Sequence, residues 1–391
     1  MTDPLQARHL AAETVGRVVR DGAFSNVLVE TQTAALVPRD ASRVKALTYG
    51  VLRRLERLDA AIEAGAGRPL VGVDVAVLDR LRVSTFELLY SDLAHPIAVS
   101  AGVDLIREIQ PKAAGFANAV LRRVAERGRE SEEALDLPSW LMQSLEDAWG
   151  VGEARQFAVS SASEPERVVR GAPGIVGIGE EVAGIPGAFV VAPGPIPDGT
   201  TVQDAASIAV GNAVAAQEGM QVIDLAAAPG GKTSHLLDQA GQRGMVIAAD
   251  SHRRRVSDAR RRVPGAHWVV ADANDLPFRD ATFDRVLLDA PCSGLGTLRR
   301  RPEIRFRVTE AEVGRLARAQ KGMLEKAMKL VAPGGQLVYS VCTVTPEETI
   351  DVVADRGFEP APGPGIVWGS GRLLAPHLTG TDGMFIALHR G

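Results

Sequence analysis

The 391-residue chain has two cysteines, and each closes an apolar run that reads as a β-strand. Cys292 lies in Leu287-Leu288-Asp289-Ala290-Pro291-Cys292-Ser293-Gly294, and Cys342 in Leu337-Val338-Tyr339-Ser340-Val341-Cys342-Thr343. A free cysteine is most often a small buried hydrophobe. That reading weakens when both thiols of a chain stand at the strand ends of an open α/β sheet, the edge where such sheets bind ligands. Upstream, Asp224-Leu225-Ala226-Ala227-Ala228-Pro229-Gly230-Gly231-Lys232-Thr233 forms a glycine turn between a strand and a helix. A nucleotide-type cofactor turn followed by two strand-end thiols points to covalent catalysis on a base.

The turn is not a familiar phosphate loop. A Walker A loop needs glycine five residues before Gly231, where this chain has Ala226, and Pro229 interrupts the loop; the dinucleotide pattern G-x-G-x-x-G is absent as well. Acids end the successive predicted strands instead: Asp250 the second, Asp272 the third and Asp289 the fourth. Any one of them is more often a turn former than a ligand contact. Together, after a glycine turn, they suit a ribose-bearing, neutral-to-cationic ligand better than a triphosphate, and S-adenosylmethionine is such a ligand.

Paired with that cofactor, a thiol has a definite use. Carbon 5 of cytosine is too weak a nucleophile to take a methyl group directly. A thiolate adding to carbon 6 makes carbon 5 enamine-like, and a base later removes the carbon-5 proton as the thiol is eliminated. The site must therefore favour the thiolate, since a free thiol is mostly protonated at neutral pH. Asp289 is placed to hold the pyrimidine edge and support protonation at N3. Spacing alone does not rank Cys292 and Cys342.

The elements that must position these residues follow from periodicity. Residues 1–130 read as a bundle of short helices: Val99, Val103, Ile106 and Ile109 share one face before Pro111, Leu78, Leu81, Leu88 and Leu89 mark an earlier helix, and Phe116, Val120 and Val124 a later one. Residues 131–200 hold a helical stretch from about Pro138 to Ser163. A Gly/Pro-rich span from Gly171 to Gly199 with short apolar runs such as Ala188-Phe189-Val190-Val191 completes them; short strands with many turns, or a linker, fit it equally well. From Thr201 to the end, strands expected at 221–226, 244–250, 267–272, 284–290 and 335–342 alternate with helices, the signature of a doubly wound α/β sheet. Gly383–Leu388 is expected to add an edge strand.

Bulk properties set outer limits. No apolar run approaches the roughly 20 residues of a membrane helix, and the N-terminus lacks a signal peptide's basic and apolar regions, so a cytoplasmic protein is expected. Two cysteines 50 residues apart with seven scattered histidines make neither a disulfide framework nor a zinc site. The net charge of −4 argues mildly against nucleic acid, but local patches matter more. Arg299, Arg300, Arg301, Arg305 and Arg307 directly follow the first cysteine loop and are expected on phosphates, whereas Arg253–Arg255 and Arg260–Arg262 read as a solvated helix face.

These residues together resemble the bacterial 16S ribosomal RNA cytosine-C5 methyltransferases of the Sun/Fmu (RsmB) type. The resemblance is strongest at Asp224–Thr233, Asp289–Gly296, Arg301-Pro302-Glu303-Ile304-Arg305 and Tyr339–Glu348, and Tyr49–Arg54 and Phe116–Arg123 look like NusB-type segments. It implies an all-α NusB-like RNA-binding domain (1–130), a linker or small RNA-binding subdomain (131–200) and a Rossmann-like S-adenosylmethionine-dependent methyltransferase domain (201–391). Ala226, Ala227, Ala228, Pro229, Gly230, Gly231 and Lys232 would wrap the cofactor, completed by Asp250, Asp272 and Asp289. Cys342 would be the nucleophile and Cys292 the helper in product release, although DNA cytosine methyltransferases use the Pro-Cys thiol. The implied partner is 16S ribosomal RNA, with no metal and a monomeric chain. Transfer RNA as substrate, or a non-catalytic RNA-binding factor, are the competing expectations. The chain departs from the family pattern at Val341 and Thr343, where Thr and Ser are usual, and at Ala226 and Met384.

Overall fold

A computed structural model describes residues 5–128, 137–172 and 177–391; the expected boundary at 130/131 lies outside them. The chain divides into two units. One comprises the residues up to Met142 with Gly152–Glu164 and Leu298–Arg307; the other holds Gln143–Val151, Pro165–Thr297 and Val308–Gly391.

The first unit is helical: α1 (Gln6–Asp21), α2 (Ser25–Thr33), α3 (Pro38–Arg53), α4 (Leu55–Ala66), α5 (Val75–Tyr90), α6 (His95–Ile109) and α7 (Ala114–Arg127). Helix α8 (Ser139–Trp149) and helix α9 (Val151–Ser161) follow, parted by Gly150 at φ +85°. The Asp74 side chain caps α5 by accepting from the Ala76 and Val77 amides. Helix α5 packs against α1, α3, α4, α6 and α7, so even its polar face is covered. Burying charge is costly unless it is paired, and here it is paired. Arg82 bridges Asp59 at 2.7 Å through two nitrogens, Asp79 takes Arg20 at 2.7 Å, and Glu87 takes Arg8 and Arg43.

The arginine-rich segment Leu298–Arg307 folds onto this helical unit, and the expectation that it faces phosphates needs correction. Arg305 is buried and donates to the Leu52 and Arg53 carbonyls at 2.7 and 3.1 Å, satisfying acceptors that the end of α3 leaves open. Arg299 is buried too, and its carbonyl accepts from Arg53 Nε at 2.7 Å. Glu303 receives the Ser25 amide and hydroxyl, and Arg307 lies over the Phe24 ring at 4.0 Å. Arg301 and Arg307 remain exposed.

The second unit opens with a small antiparallel sheet of β1 (Val168–Arg170), β2 (Glu180–Glu181), β3 (Ala188–Val190) and β4 (Thr201–Val202), in the order β2-β3-β1-β4. The main sheet is built from β5 (Gln221–Leu225), β6 (Met245–Asp250), β7 (His267–Val270), β8 (Phe283–Asp289), β9 (Val331–Val341), β10 (Phe358–Pro360), β11 (Ile366–Trp368), β12 (Gly371–Leu374) and β13 (Met384–Arg390). Helices α10 (Ala205–Val214), α11 (Gly231–Ala240), α12 (Arg253–Arg262), α13 (Glu310–Lys329), α14 (Ile350–Val353) and α15 (Pro376–Thr379) complete the unit. Strands β7-β6-β5-β8-β9 are parallel, and the order reverses between β5 and β8, the doubly wound arrangement expected from the alternation. Strand β13 is not an edge: it pairs antiparallel with β9, β12 and β10. Met384 through Leu388 are all buried, and a strand apolar on both faces belongs inside a sheet.

Candidate active site

Three loops at the carboxyl ends of adjacent parallel strands make the site. The turn after β5 enters α11 through Gly230 at φ +102°, a conformation natural to glycine. A β-carbon added at Gly231 would meet nothing within 4 Å, so the backbone there borders open space. Ala226, at φ +59°, turns the chain out of β5. At the root of the turn, buried Asp224 accepts from Thr233 Oγ1 at 2.6 Å, while its second oxygen has no partner. Burial, with the Asp289 and Asp250 charges, pushes the Asp224 carboxyl up to about 7. Asp250, 2% exposed at the end of β6, accepts from the His252 amide at 2.9 Å and the Ala228 amide at 3.3 Å. Arg255 donates to the Ala228 carbonyl, so one arginine of the predicted solvated face reaches the turn. A buried acid at the end of β6, an open glycine cradle and a buried oxygen without a partner fit a nucleoside-bearing cofactor. Asp272 lies just beyond β7, exposed, with Oδ1 accepting from the Asn274 amide and side chain; it shapes its own turn.

The thiols come from the next two loops. Register pairs Asp289 of β8 with Ser340 of β9, so the chain segments after each run side by side. Cys292 Sγ and Cys342 Sγ stand 3.3 Å apart as free cysteines. The hydrogen bond to Cys342, then burial and the surrounding negative charge, push the Cys292 thiol well above its ordinary pKa. Asp289 accepts from Lys232 Nζ at 2.7 Å on one oxygen and from Ser340 Oγ at 2.8 Å on the other. Burial alone would lower the Lys232 pKa; the Asp289 charge and hydrogen bond, with negative charge on Cys342 and Asp224, turn the shift upward. Lys232 thus links the cofactor turn to Asp289, a link the sequence did not display.

Beneath the thiols lies a buried polar layer that sequence reasoning passed over. Glu348 accepts from the Ser293 amide at 2.8 Å, from Gln320 Nε2 at 3.0 Å, and from the Ser293, Thr343 and Thr345 hydroxyls. The signal was present in Thr345-Pro346-Glu347-Glu348, but nothing in the sequence separates buried Glu348 from half-buried Glu347 beside it.

Residues 212–390 match the family described as 16S rRNA methyltransferase RsmB/F, and residues 5–126 match the NusB family. A putative methyltransferase of Mycobacterium tuberculosis is 34% identical over 441 aligned positions, covering 98% of this chain and 96% of the relative. The ribosomal RNA small subunit methyltransferase B of Salmonella paratyphi B is 31% identical, with 88% of each chain covered. The chain belongs to the RsmB/F methyltransferase family. It is an S-adenosylmethionine-dependent RNA methyltransferase, with a NusB-like helical part preceding a Rossmann-like catalytic fold. Among solved structures, PH0851 superposes with a TM-score of 0.74 at 22% identity over 99% of both chains. NSun6 from Pyrococcus horikoshii superposes at 0.54 and 19% identity, covering 66% of this chain and 98% of that one. At these identities the likeness concerns the fold. No helix among the described residues is long and apolar enough to cross a membrane.

Proposed function

We propose that the enzyme methylates carbon 5 of a cytosine in 16S ribosomal RNA through a covalent adduct between Cys342 and carbon 6. The observation that carries this reading is the 3.3 Å approach of the two sulfurs beside Asp289. The ribosomal target rests on the RsmB/F family and on the small-subunit methyltransferases among the relatives. In the same reading, the NusB-like helices (1–130) bind RNA, residues 131–200 link them to the catalytic part, and residues 201–391 carry the chemistry.

Ala226–Lys232 hold the cofactor with Asp250, Asp272 and Asp289 at its margins, and S-adenosylmethionine supplies an electrophilic methyl group there. The two sulfurs share a hydrogen bond and lose their first proton as a pair, and the charge is assigned to Cys342 on the family resemblance. The Lys232 ammonium is attracted to that charge, and the attraction is mutual. Cys342 Sγ forms a bond to carbon 6, and the electrons of the 5,6 double bond shift so that carbon 5 becomes nucleophilic. Asp289, fixed by Lys232 and Ser340, holds the pyrimidine edge and supports a proton at N3. After methylation a base removes the carbon-5 proton, the double bond re-forms, and Cys342 leaves as thiolate. Cys292 assists this release by donating a hydrogen bond to the departing sulfur.

The test uses Cys292→Ala with S-adenosylmethionine and unmodified 16S RNA on a denaturing gel, with transfer RNA in parallel. A protein–RNA adduct on 16S RNA that vanishes when Cys342→Ala is added supports the assignment. An adduct that survives Cys342→Ala, or forms only with transfer RNA, refutes the nucleophile or the target respectively.

A further inference from the structure

Two irregular loops bring the thiols together; each is tied down at the residue next to its cysteine, and both ties end on one side chain. Ser293 follows Cys292, and its amide and hydroxyl both donate to Glu348. Thr343 follows Cys342, and its hydroxyl donates to the same carboxylate at 3.1 Å. Glu348 is wholly buried. Gln320 of α13 completes the frame: its Nε2 donates to Glu348 at 3.0 Å and to the Pro291 carbonyl, just before Cys292, at 2.9 Å. The Tyr339 hydroxyl of β9 donates to the Glu348 carbonyl at 2.8 Å, and burial holds this phenol well above its ordinary pKa, so it remains a donor.

We propose that Glu348 is the positioning residue that sets the distance between Cys292 and Cys342. The proposal rests on the covalent reading only for its kinetic consequence; the geometric part stands by itself. A carboxylate is acceptor-only and offers about four lone-pair sites, which an amide, an amide side chain and the Ser293 and Thr343 hydroxyls fill, with Thr345 Oγ1 the longest contact at 3.3 Å. Charge-assisted hydrogen bonds of this kind are the stronger class. Glu348→Ala would leave the Ser293 and Gln320 N–H groups and three hydroxyls without their common acceptor. Glu348→Gln keeps one oxygen for the two N–H donors. Its amide then faces hydroxyls that can rotate to accept, but it has two hydrogens for three of them. The variants should therefore fall in a graded order, wild type above Gln above Ala.

The chain has only two cysteines, so a bifunctional thiol reagent reports their separation without ambiguity. With dibromobimane, each thiolate forms an S–C bond and expels one bromide, and fluorescence follows the intramolecular cross-link. The cross-linking rate should fall roughly 10- to 100-fold in Glu348→Ala, with Glu348→Gln between, because misplacement by about 1 Å costs that much in an intramolecular step. In methyl transfer, kcat should fall in the same order while KM for RNA stays constant, since the Glu348 side chain is wholly buried. Should Glu348→Ala not fold, Glu348→Gln alone carries the test. Cross-linking at the wild-type rate in the folded variants overturns the proposal. If the adduct assay above refutes Cys342 as nucleophile, the dibromobimane series still reports whether Glu348 sets the sulfur distance, so the two failures are distinguishable.

Discussion

Gly296→Ala probes the backbone frame around the thiols with a single methyl group. A β-carbon there would stand 2.2 Å from the Gly383 carbonyl oxygen and 2.7 Å from its carbonyl carbon. Restoring even a 3.0 Å contact requires one backbone to move by about 0.8 Å. Neither is free to do so. The Gly383 amide donates to the Gly296 carbonyl at 2.7 Å, the Gly296 amide donates to the Cys342 carbonyl at 3.0 Å, and Gly383 leads directly into β13, held between β9 and β12. Overpacking of this kind costs about 1–3 kcal/mol, which for a unit of this size lowers Tm by roughly 2–12 °C. Because Gly296 bonds to Cys342 and lies four residues beyond Cys292, the displacement reaches the sulfur pair. Single-turnover methyl transfer should slow on the order of 100-fold. The assay is labelled-methyl incorporation into RNA alongside thermal unfolding, with Gly383→Ala as the reciprocal variant. Full activity together with an unchanged Tm would refute the argument that this close backbone approach holds the two cysteine loops in place.

Other expectations follow from the same structure. The Asp224 carboxyl is pushed up to about 7 in the folded chain, above its unfolded value near 3.9. Its protonated form favours folding below about pH 4, and that contribution, about 4 kcal/mol at its fullest, is lost as pH rises through 7. Asp224→Asn should therefore gain stability relative to wild type between pH 4 and 8, read from urea midpoints; a gap that does not widen with pH would count against the shift. Lys232→Met removes the cation that links Asp289 to the thiol pair. Adduct formation should slow roughly 100-fold with RNA affinity unchanged, and an unaltered rate in rapid-quench experiments would exclude the role. Arg305→Ala should lower Tm, because two α3 carbonyls lose their donor. Arg301→Ala should leave Tm alone and, where RNA lies on this exposed side chain, reduce the salt slope of binding by about one. The opposite pattern would restore the phosphate reading of Arg305.

The sequence by itself determined the local grammar of this protein. Strand and helix alternation, the glycine turn, the acids at strand ends and the two thiols were legible because each depends on neighbours within a few residues. The helices carrying Leu81, Ile106 and Val120 were legible for the same reason, since burial along an amphipathic helix repeats with its own period. What only the tertiary structure decided are the pairings made across long stretches of chain. Arg299 and Arg305 read as a phosphate-facing cluster, yet both are tied to helix α3 some 250 residues earlier: the Arg305 guanidinium donates to its open end, and the Arg299 carbonyl accepts from Arg53 Nε. Strand β13 read as an edge because the β11–β12 hairpin that covers it has short strands in a glycine-rich stretch and gives no periodic signal. Glu348 looks no different from Glu347 in the sequence, since burial of a carboxylate is set by donors arriving from Ser293, Gln320 and Thr343 on three separate elements. The 3.3 Å approach of Cys292 to Cys342 belongs to the same class. The two cysteines are 50 positions apart in the chain, and only the parallel register of β8 with β9 brings their sulfurs together.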